Sequence, residues 1–148
     1  MTATVPYRDS SLPAAQRARD LLARMTLEEK LAQLGSAWVF EVLRDEQLDA
    51  SRLGAVLGQG IGHITRISGA ANTDARGAAR LANAIQRHLV EQTRLGIPAI
   101  VHEEALHGLM ARDAVCHPQA IGVAATWRPE LVEQMATFIG RSMAARGA

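Results

Sequence analysis

The sequence has a single cysteine, Cys116, which excludes a disulfide within one chain. Aromatic residues make up only 3% of the chain, and lysine occurs once, at Lys30. Neither sign of charge is in excess, because 16 basic residues stand against 15 acidic ones, for a net charge of +1. A chain without a basic excess gives no reason to expect nucleic acid or an anionic membrane as a partner.

Long hydrophobic runs are also absent. No stretch approaches the length of a membrane-spanning helix, and the N-terminal "MTATVPYRDSSLP" lacks the apolar core of a signal peptide. We therefore expect a cytoplasmic protein. What the chain does have is 148 residues, 48% of them hydrophobic, which is typical of one globular domain.

Helical periodicity and end signals predict four helices. Apolar residues recur on one face of residues 13–25, 74–95 and 128–146, and Gly96 stands where the second of these should be capped. Thr26 and Glu29 have the spacing of a capping box, which predicts a helix over 26–34. On the helix over 26–34, the residues predicted to be buried are Leu27, Leu31 and Leu34. On the helix over 128–146, they are Leu131, Met135, Phe138, Ile139 and Met143.

Two short apolar segments predict strands. "GIGHITRIS" places three isoleucines between glycines, and "IPAIV" follows the long helix over 74–95. Strands that alternate with long helices indicate an α/β protein with a parallel sheet. Residues 38–60 show no clear pattern. Because parallel strands are normally buried inside a larger sheet, two strands indicate only part of a domain.

The stretch "VHEEALHG", residues 101–108, concentrates polar side chains directly after the second strand. A metal site is disfavoured, because His102 and His107 are five residues apart, which leaves them about 140° out of line on a helix. An ordinary polar loop is one alternative. A ligand site is the other, since α/β proteins bind ligands at the carboxyl ends of parallel strands.

Three blocks of the chain resemble the N-terminal part of glycoside hydrolase family 3 enzymes: "RMTLEEKLAQL", "LGIPAIVHEEALHGL" and "HPQAIGVAATWRPELVEQMATFIGRSMAARG". The family includes β-glucosidases, β-xylosidases and related exo-acting enzymes. The resemblance implies that residues 1–148 are an incomplete (β/α)8 (TIM-like) barrel fragment, with about two β/α units preceded by N-terminal helices. The remainder of the barrel and a following α/β sandwich domain would be absent.

The same resemblance implies a sugar-binding role for Glu104, the acidic residue two positions before "LHG". A carboxylate suits this role, because it accepts short, charge-assisted hydrogen bonds from neighbouring hydroxyl groups. Glu103 and His107 would support Glu104 or brace the turn, and His102 would pack beneath the loop. The resemblance implies no cofactor and no metal; the implied partner is a β-glycoside substrate.

The residues for the chemistry are not recognisable. A retaining glycosidase needs two carboxyl groups about 5–5.5 Å apart, and neighbouring glutamates on a strand end point to opposite faces. In the family the nucleophile is an aspartate followed by an aromatic residue, and no aspartate here has that context. The family's Lys-His pair is also missing, because Leu31 follows Lys30. We therefore expect a fragment of a retaining exo-β-glycosidase that is inactive alone.

Further expectations concern single residues. Where relatives carry Trp-Asp-Pro, this chain has Arg128 before Pro129, and arginine cannot cap a helix start, at a cost of about 1 kcal/mol. Trp38 and Trp127 lie among apolar neighbours and are predicted to be core residues rather than sugar platforms. Cys116 is predicted to be an inert thiol on the core side.

Two functions from other classes stay open. One is a non-catalytic carbohydrate-binding remnant, and the other is a protein-interaction module that associates with itself or another chain through uncovered sheet edges. For the enzyme, Glu104 favours terminal β-D-xylosyl over β-D-glucosyl residues, because many glucosidases of the family carry the shorter aspartate there. The extra methylene would occupy the space that a hexose hydroxymethyl group needs.

Overall fold

The computed structural model describes residues 5–148. The helices are α1 (Ala14–Arg24), α2 (Leu27–Gln33), α3 (Ala50–Leu57), α4 (Ile67–Ala70), α5 (Ala75–Gln92), α6 (Ala120–Ala124) and α7 (Pro129–Ala144). The strands are β1 (Ser36–Trp38), β2 (Leu43–Arg44), β3 (Gln47–Leu48), β4 (His63–Thr65) and β5 (Ile100–His102). Short 3₁₀ turns cover Pro6–Arg8 and Val39–Val42.

A parallel sheet of three strands is the centre of the fold. Its order is β1-β4-β5, so β4 is the middle strand, and Ala37, Ile64 and Val101 lie side by side across it. The predicted α/β class with a parallel sheet is confirmed. Strand β1 was missed, because three residues with a single buried side chain, Ala37, carry no readable periodicity.

Helices cover one face of this sheet. The row formed by Ala37 and Ile64 belongs to the main core cluster together with buried residues of α3 and α5, namely Leu53, Leu57, Ala78, Ala82, Ile85 and Leu89. Side chains alternate between the two faces of a strand. The opposite face therefore carries Trp38, His63 and His102, which are exposed or half-buried.

The hairpin of β2 and β3 stands outside the parallel sheet. Asp45 and Glu46 connect its strands, and both have positive φ, 50° and 62°. Positive φ at both central residues is the geometry of a two-residue turn whose twist matches a hairpin. The hairpin and the 3₁₀ turn that precedes it occupy part of residues 38–60, where the sequence showed no pattern.

The capping box that starts α2 is confirmed. Glu29 donates its backbone N–H to Thr26 Oγ1 at 3.2 Å, and Glu29 Oε2 accepts from the backbone N–H of Thr26 at 2.9 Å. The same carboxylate is buried and accepts from Arg94 Nε at 2.8 Å. This hydrogen bond to the Arg94 guanidinium lowers the pKa of Glu29 below its ordinary value.

The predicted apolar face of α2 is wrong. Leu27, Leu31 and Leu34 are all exposed, Leu34 to 85%. The helix has only seven residues, and the hydrogen bonds of Glu29 turn its carboxylate side inward instead. An ion pair between Glu29 and the distant Arg94 thus overrides the local hydrophobic pattern.

The long helix α5 begins where the sequence indicated, with Asp74 as N-cap accepting from the backbone N–H of Gly77. It ends at Gln92 with Thr93 as C-cap, three residues before the predicted end at Leu95 and its predicted cap at Gly96. Gly96 does adopt positive φ, 62°, but in the turn that leads towards β5. The glycine therefore lies in a turn four residues beyond the last residue of the helix.

Helix α7 begins without a side-chain cap, as expected from Arg128 at the N-cap position. The Arg128 guanidinium instead donates to Glu130 Oε1 at 2.6 Å and lowers the pKa of that carboxyl. The predicted buried face of α7 is only partly correct, because Ile139 alone among its helical residues is buried. Phe138 is 47% exposed, and its ring meets the His117 ring at 5.4 Å between centroids. In the described part of the chain, no helix combines the length and apolar character needed to cross a membrane.

Candidate functional site

The carboxyl ends of the three parallel strands meet at one edge of the sheet. Strand β1 ends with Trp38, strand β4 is followed by Arg66, and strand β5 is followed by Glu103 and Glu104. These residues come from three separate parts of the sequence. They form the candidate site, since ligands of α/β proteins bind at this edge.

Glu104 forms an ion pair with Arg66. Their closest atoms, Glu104 Oε2 and Arg66 Nη1, are 3.3 Å apart. The Glu104 side chain is 56% exposed, whereas that of Arg66 is 24% exposed. An ion pair this open to solvent contributes little to stability. Its clearest effect is to hold a carboxylate at the sheet edge with acceptor positions still open to solvent.

Arg66 is held from several sides. Its guanidinium lies over the Trp38 ring, with the central carbon 5.6 Å from the ring centroid. Its backbone N–H donates to the carbonyl of His102 at 2.9 Å, and its φ of 58° and ψ of 46° are left-handed. Left-handed backbone costs a non-glycine residue about 1–2 kcal/mol. The backbone is therefore strained at Arg66, directly after β4.

Glu103 and Glu104 contact different partners. Glu103 Oε1 accepts from the backbone N–H of Ser68 at 2.5 Å, at the start of α4. The Glu103 carboxylate thus ties the end of β5 to the segment that follows β4. The contact braces the Arg66 segment, and support of Glu104 by Glu103 stays a prediction.

His107 stabilises the loop after β5 through its main chain. Its carbonyl accepts from the backbone N–H of His117 at 2.6 Å. Gly108 follows with φ of 121°, and a Cβ there would lie 2.3 Å from the carbonyl oxygen of Val115. Only glycine fits this close approach of two main-chain segments. The loop after β5 is therefore fixed by its backbone, and the supporting role of the His107 side chain stays a prediction.

The expectation that His102 packs beneath the loop is wrong. His102 is exposed, and its ring meets the edge of the His63 ring on the neighbouring strand at 5.6 Å between centroids. Both rings lie on the sheet face that the helices leave open. Among residues 5–148, no group of three or more histidine, cysteine, aspartate or glutamate side chains could hold a metal ion.

Three other residues predicted to lie in the core are exposed. Trp127 is 91% exposed and Trp38 is 39% exposed, and Cys116 also lies on the surface. Trp38 was misjudged because it follows the single buried residue of a short strand and points to the open face. Trp127 has positive φ, 55°, in the turn between α6 and α7, and borders an open groove together with Val123 and Val132.

Sequence reasoning missed Arg66 altogether. One signal could have revealed it: an arginine that directly follows the apolar segment "GIGHIT", where a parallel strand reaches its carboxyl end. Its partners could not have been found in this way. Trp38, Arg66 and Glu104 are far apart along the chain and come together only through strand pairing.

Comparison with known proteins identifies relatives of this chain. Residues 26–148 match the family model described as "Glycosyl hydrolase family 3 N terminal domain". Beta-glucosidase C of Emericella nidulans is 33% identical over 139 residues, which covers 88% of this chain and 22% of the relative. The periplasmic beta-glucosidase/beta-xylosidase of Dickeya chrysanthemi is 32% identical, covering 96% of this chain and 23% of the relative. A putative beta-xylosidase of Formosa agariphila is 28% identical, covering 99% of this chain and 20% of the relative. The chain thus spans about a fifth of the length of these relatives.

Proposed function

Because the chain belongs to glycoside hydrolase family 3, we propose that it forms the terminal-sugar-binding part of a retaining exo-β-glycosidase. In this proposal Glu104 accepts hydrogen bonds from hydroxyl groups of a terminal β-D-xylosyl or β-D-glucosyl residue. The relatives named as β-glucosidases and β-xylosidases support this class of substrate.

The observation that carries the proposal is the setting of the Glu104 carboxylate. It is more than half exposed, sits at the carboxyl edge of a parallel sheet, and is held by one cation through one of its oxygens. A carboxylate is purely an acceptor, so its open lone pairs suit hydroxyl donors. Adjacent sugar hydroxyls can then bind the two oxygens through charge-assisted hydrogen bonds.

The sheet supports a barrel as the larger architecture. Its three strands are all parallel, helices cover one face, and the other face carries Trp38, His63 and His102. In a (β/α)8 barrel the helices form the outer ring, and the inner face and carboxyl ends of the strands hold the active site. We propose that the three strands and their helices are consecutive units of such a barrel.

The first expected result is binding without hydrolysis. The 148-residue chain should bind methyl β-D-xyloside but release no product from aryl β-xylosides or aryl β-glucosides. Retaining hydrolysis needs two free carboxyl groups about 5–5.5 Å apart. Here Glu103 is bound to the Ser68 N–H and Glu104 to Arg66, and no aspartate is followed by an aromatic residue.

Binding is measured by titrating the purified chain with methyl β-D-xyloside and monitoring the titration by saturation-transfer NMR. Glu104→Gln should weaken it about tenfold or more, because a charge-assisted hydrogen bond is replaced by a neutral one. Glu91→Gln, on an exposed glutamate of α5, is the matched control and should bind as the unaltered chain does. Equal affinities for both variants would refute the assignment of Glu104. Turnover that disappears in Glu103→Gln or Glu104→Gln would refute the expected inactivity.

The surface also favours association of the chain with itself. An apolar groove of about 750 Å³ runs from the loop after β5 to one side of α7 and is lined by Leu106, Val132, Met135, Ile139 and Met143, among others. Leu106 is 84% exposed, and β5 pairs with β4 on one side only. Large open apolar surfaces and free strand edges are typical association sites.

We therefore expect sedimentation equilibrium at micromolar concentration to give a mass above that of one chain. Leu106→Glu should lower the average mass, because it places a charge in the groove. Leu34→Glu is the control, since Leu34 is equally exposed but does not line the groove. A strictly monomeric unaltered chain would rule out this association.

A further inference from the structure

We propose that Arg66 is a positioning residue, which holds the Glu104 carboxylate in the orientation that binds the sugar. Trp38 and Gly69 in turn hold the Arg66 guanidinium. This inference rests on the proposed function, because it assigns a task to Arg66 within the same binding site.

The guanidinium of Arg66 is in contact with three other residues, which the structure places around it. Trp38 contributes its ring on one strand end, and Glu104 contributes its carboxylate from another. Gly69 lies against the guanidinium: a Cβ on Gly69 would come within 3.2 Å of Arg66 Nη2 and 2.7 Å of the Met110 carbonyl oxygen. A side chain at position 69 would therefore displace either the arginine or the loop after β5.

This arrangement lowers the stability of the folded chain. Arg66 has left-handed backbone, and its Nε is buried with no hydrogen-bond partner among residues 5–148. A buried donor without a partner costs about 1–3 kcal/mol, whereas an exposed ion pair returns about 0–1 kcal/mol. Strain of this kind clusters at binding sites, where it places a group in advance of the ligand.

The consequence concerns the geometry of Glu104. A glutamate side chain on an open loop samples several rotamers, and fixing it when the sugar binds costs free energy. The ion pair to Arg66 Nη1 restricts those rotamers beforehand and takes one acceptor position of Oε2, while the other acceptor positions of the two oxygens stay available to hydroxyl groups. Holding a binding group in its bound conformation strengthens binding by reducing this cost.

A double-mutant cycle on the 148-residue chain tests the inference, with methyl β-D-xyloside as the probe. Arg66→Met keeps the length of the side chain and removes its charge, so it should weaken binding about tenfold. In the Glu104→Gln background the same change should weaken binding less than about twofold, because the group that Arg66 positions is no longer ionic. Arg66→Lys should recover part of the loss.

A second measurement needs no sugar. In a Trp127→Phe background, Trp38 is the remaining tryptophan and its fluorescence reports the cation above its ring. Glu104→Gln should change this emission when Arg66 is present and leave it unchanged when Arg66→Met is also present. Urea unfolding of each variant verifies that the fold persists.

The outcomes separate the two proposals. Binding that Glu104→Gln weakens but Arg66→Met does not would overturn the role of Arg66 and leave the proposed function standing. Equal losses from Arg66→Met in both backgrounds would mean that Arg66 acts independently of Glu104, which also overturns the inference. An unaltered chain that binds no xyloside would overturn the proposed function, and the positioning role with it.

Discussion

Shortening Glu104 by one methylene should shift the sugar preference of the chain from xyloside towards glucoside by about 10–200-fold. The unaltered side chain reaches about 1.5 Å further into the site than aspartate would, by the length of one C–C bond. A hexose carries a hydroxymethyl group that a pentose lacks, and that group needs the space. Glu104→Asp should therefore relieve a steric clash that only the glucoside experiences.

The measurement is the ratio of the dissociation constants for methyl β-D-xyloside and methyl β-D-glucoside. The ratio matters rather than either value, because the shorter side chain also draws away from Arg66 and weakens the binding of both sugars. Glu103→Asp is the matched control: it makes the same change in the neighbouring residue, whose carboxylate binds the Ser68 N–H, and should leave the ratio unaltered. An unchanged ratio in Glu104→Asp would show that Glu104 does not face the hydroxymethyl position.

A single methyl group added at Gly62 should abolish cooperative folding. Gly62 is buried just before β4, and a Cβ there would lie 2.0 Å from the carbonyl oxygen of Gln33 and 3.1 Å from that of Gly35. Both of these oxygen atoms belong to the main chain. The glycine cannot move away, because its N–H donates to Ala32 and its carbonyl accepts from Ile100. We expect Gly62→Ala to lower the free energy of unfolding by more than about 4 kcal/mol.

Urea unfolding followed by circular dichroism checks this expectation. Gly140→Ala is the matched control, because a Cβ on Gly140 meets nothing within 4 Å. Since Gly140 lies inside α7, the control should raise the stability by about 0.5–1 kcal/mol. A Gly62→Ala variant that unfolds at the same urea concentration as the unaltered chain would contradict the close packing between β4 and the end of α2.

Local patterns were readable where neighbouring residues decide the outcome. The capping box of Thr26 and Glu29 and the start of the long helix at Asp74 were predicted correctly, because each involves residues within one helical turn. The buried side of α2 was not, because a contact from Glu29 to Arg94 decides it across 65 positions of the chain. Strand β1 was missed because three residues are too few to show a period.

Some features of the candidate site were likewise predictable from the sequence, and others were not. The sequence by itself determined the family, the parallel α/β class and the position of Glu104 directly after a strand, since these depend on motifs and on chain order. Only the tertiary structure decided that Trp38 and Arg66 join Glu104, and that the ring of His102 lies on the open face. The physical reason is strand pairing: the order β1-β4-β5 brings together three carboxyl ends that no local pattern connects.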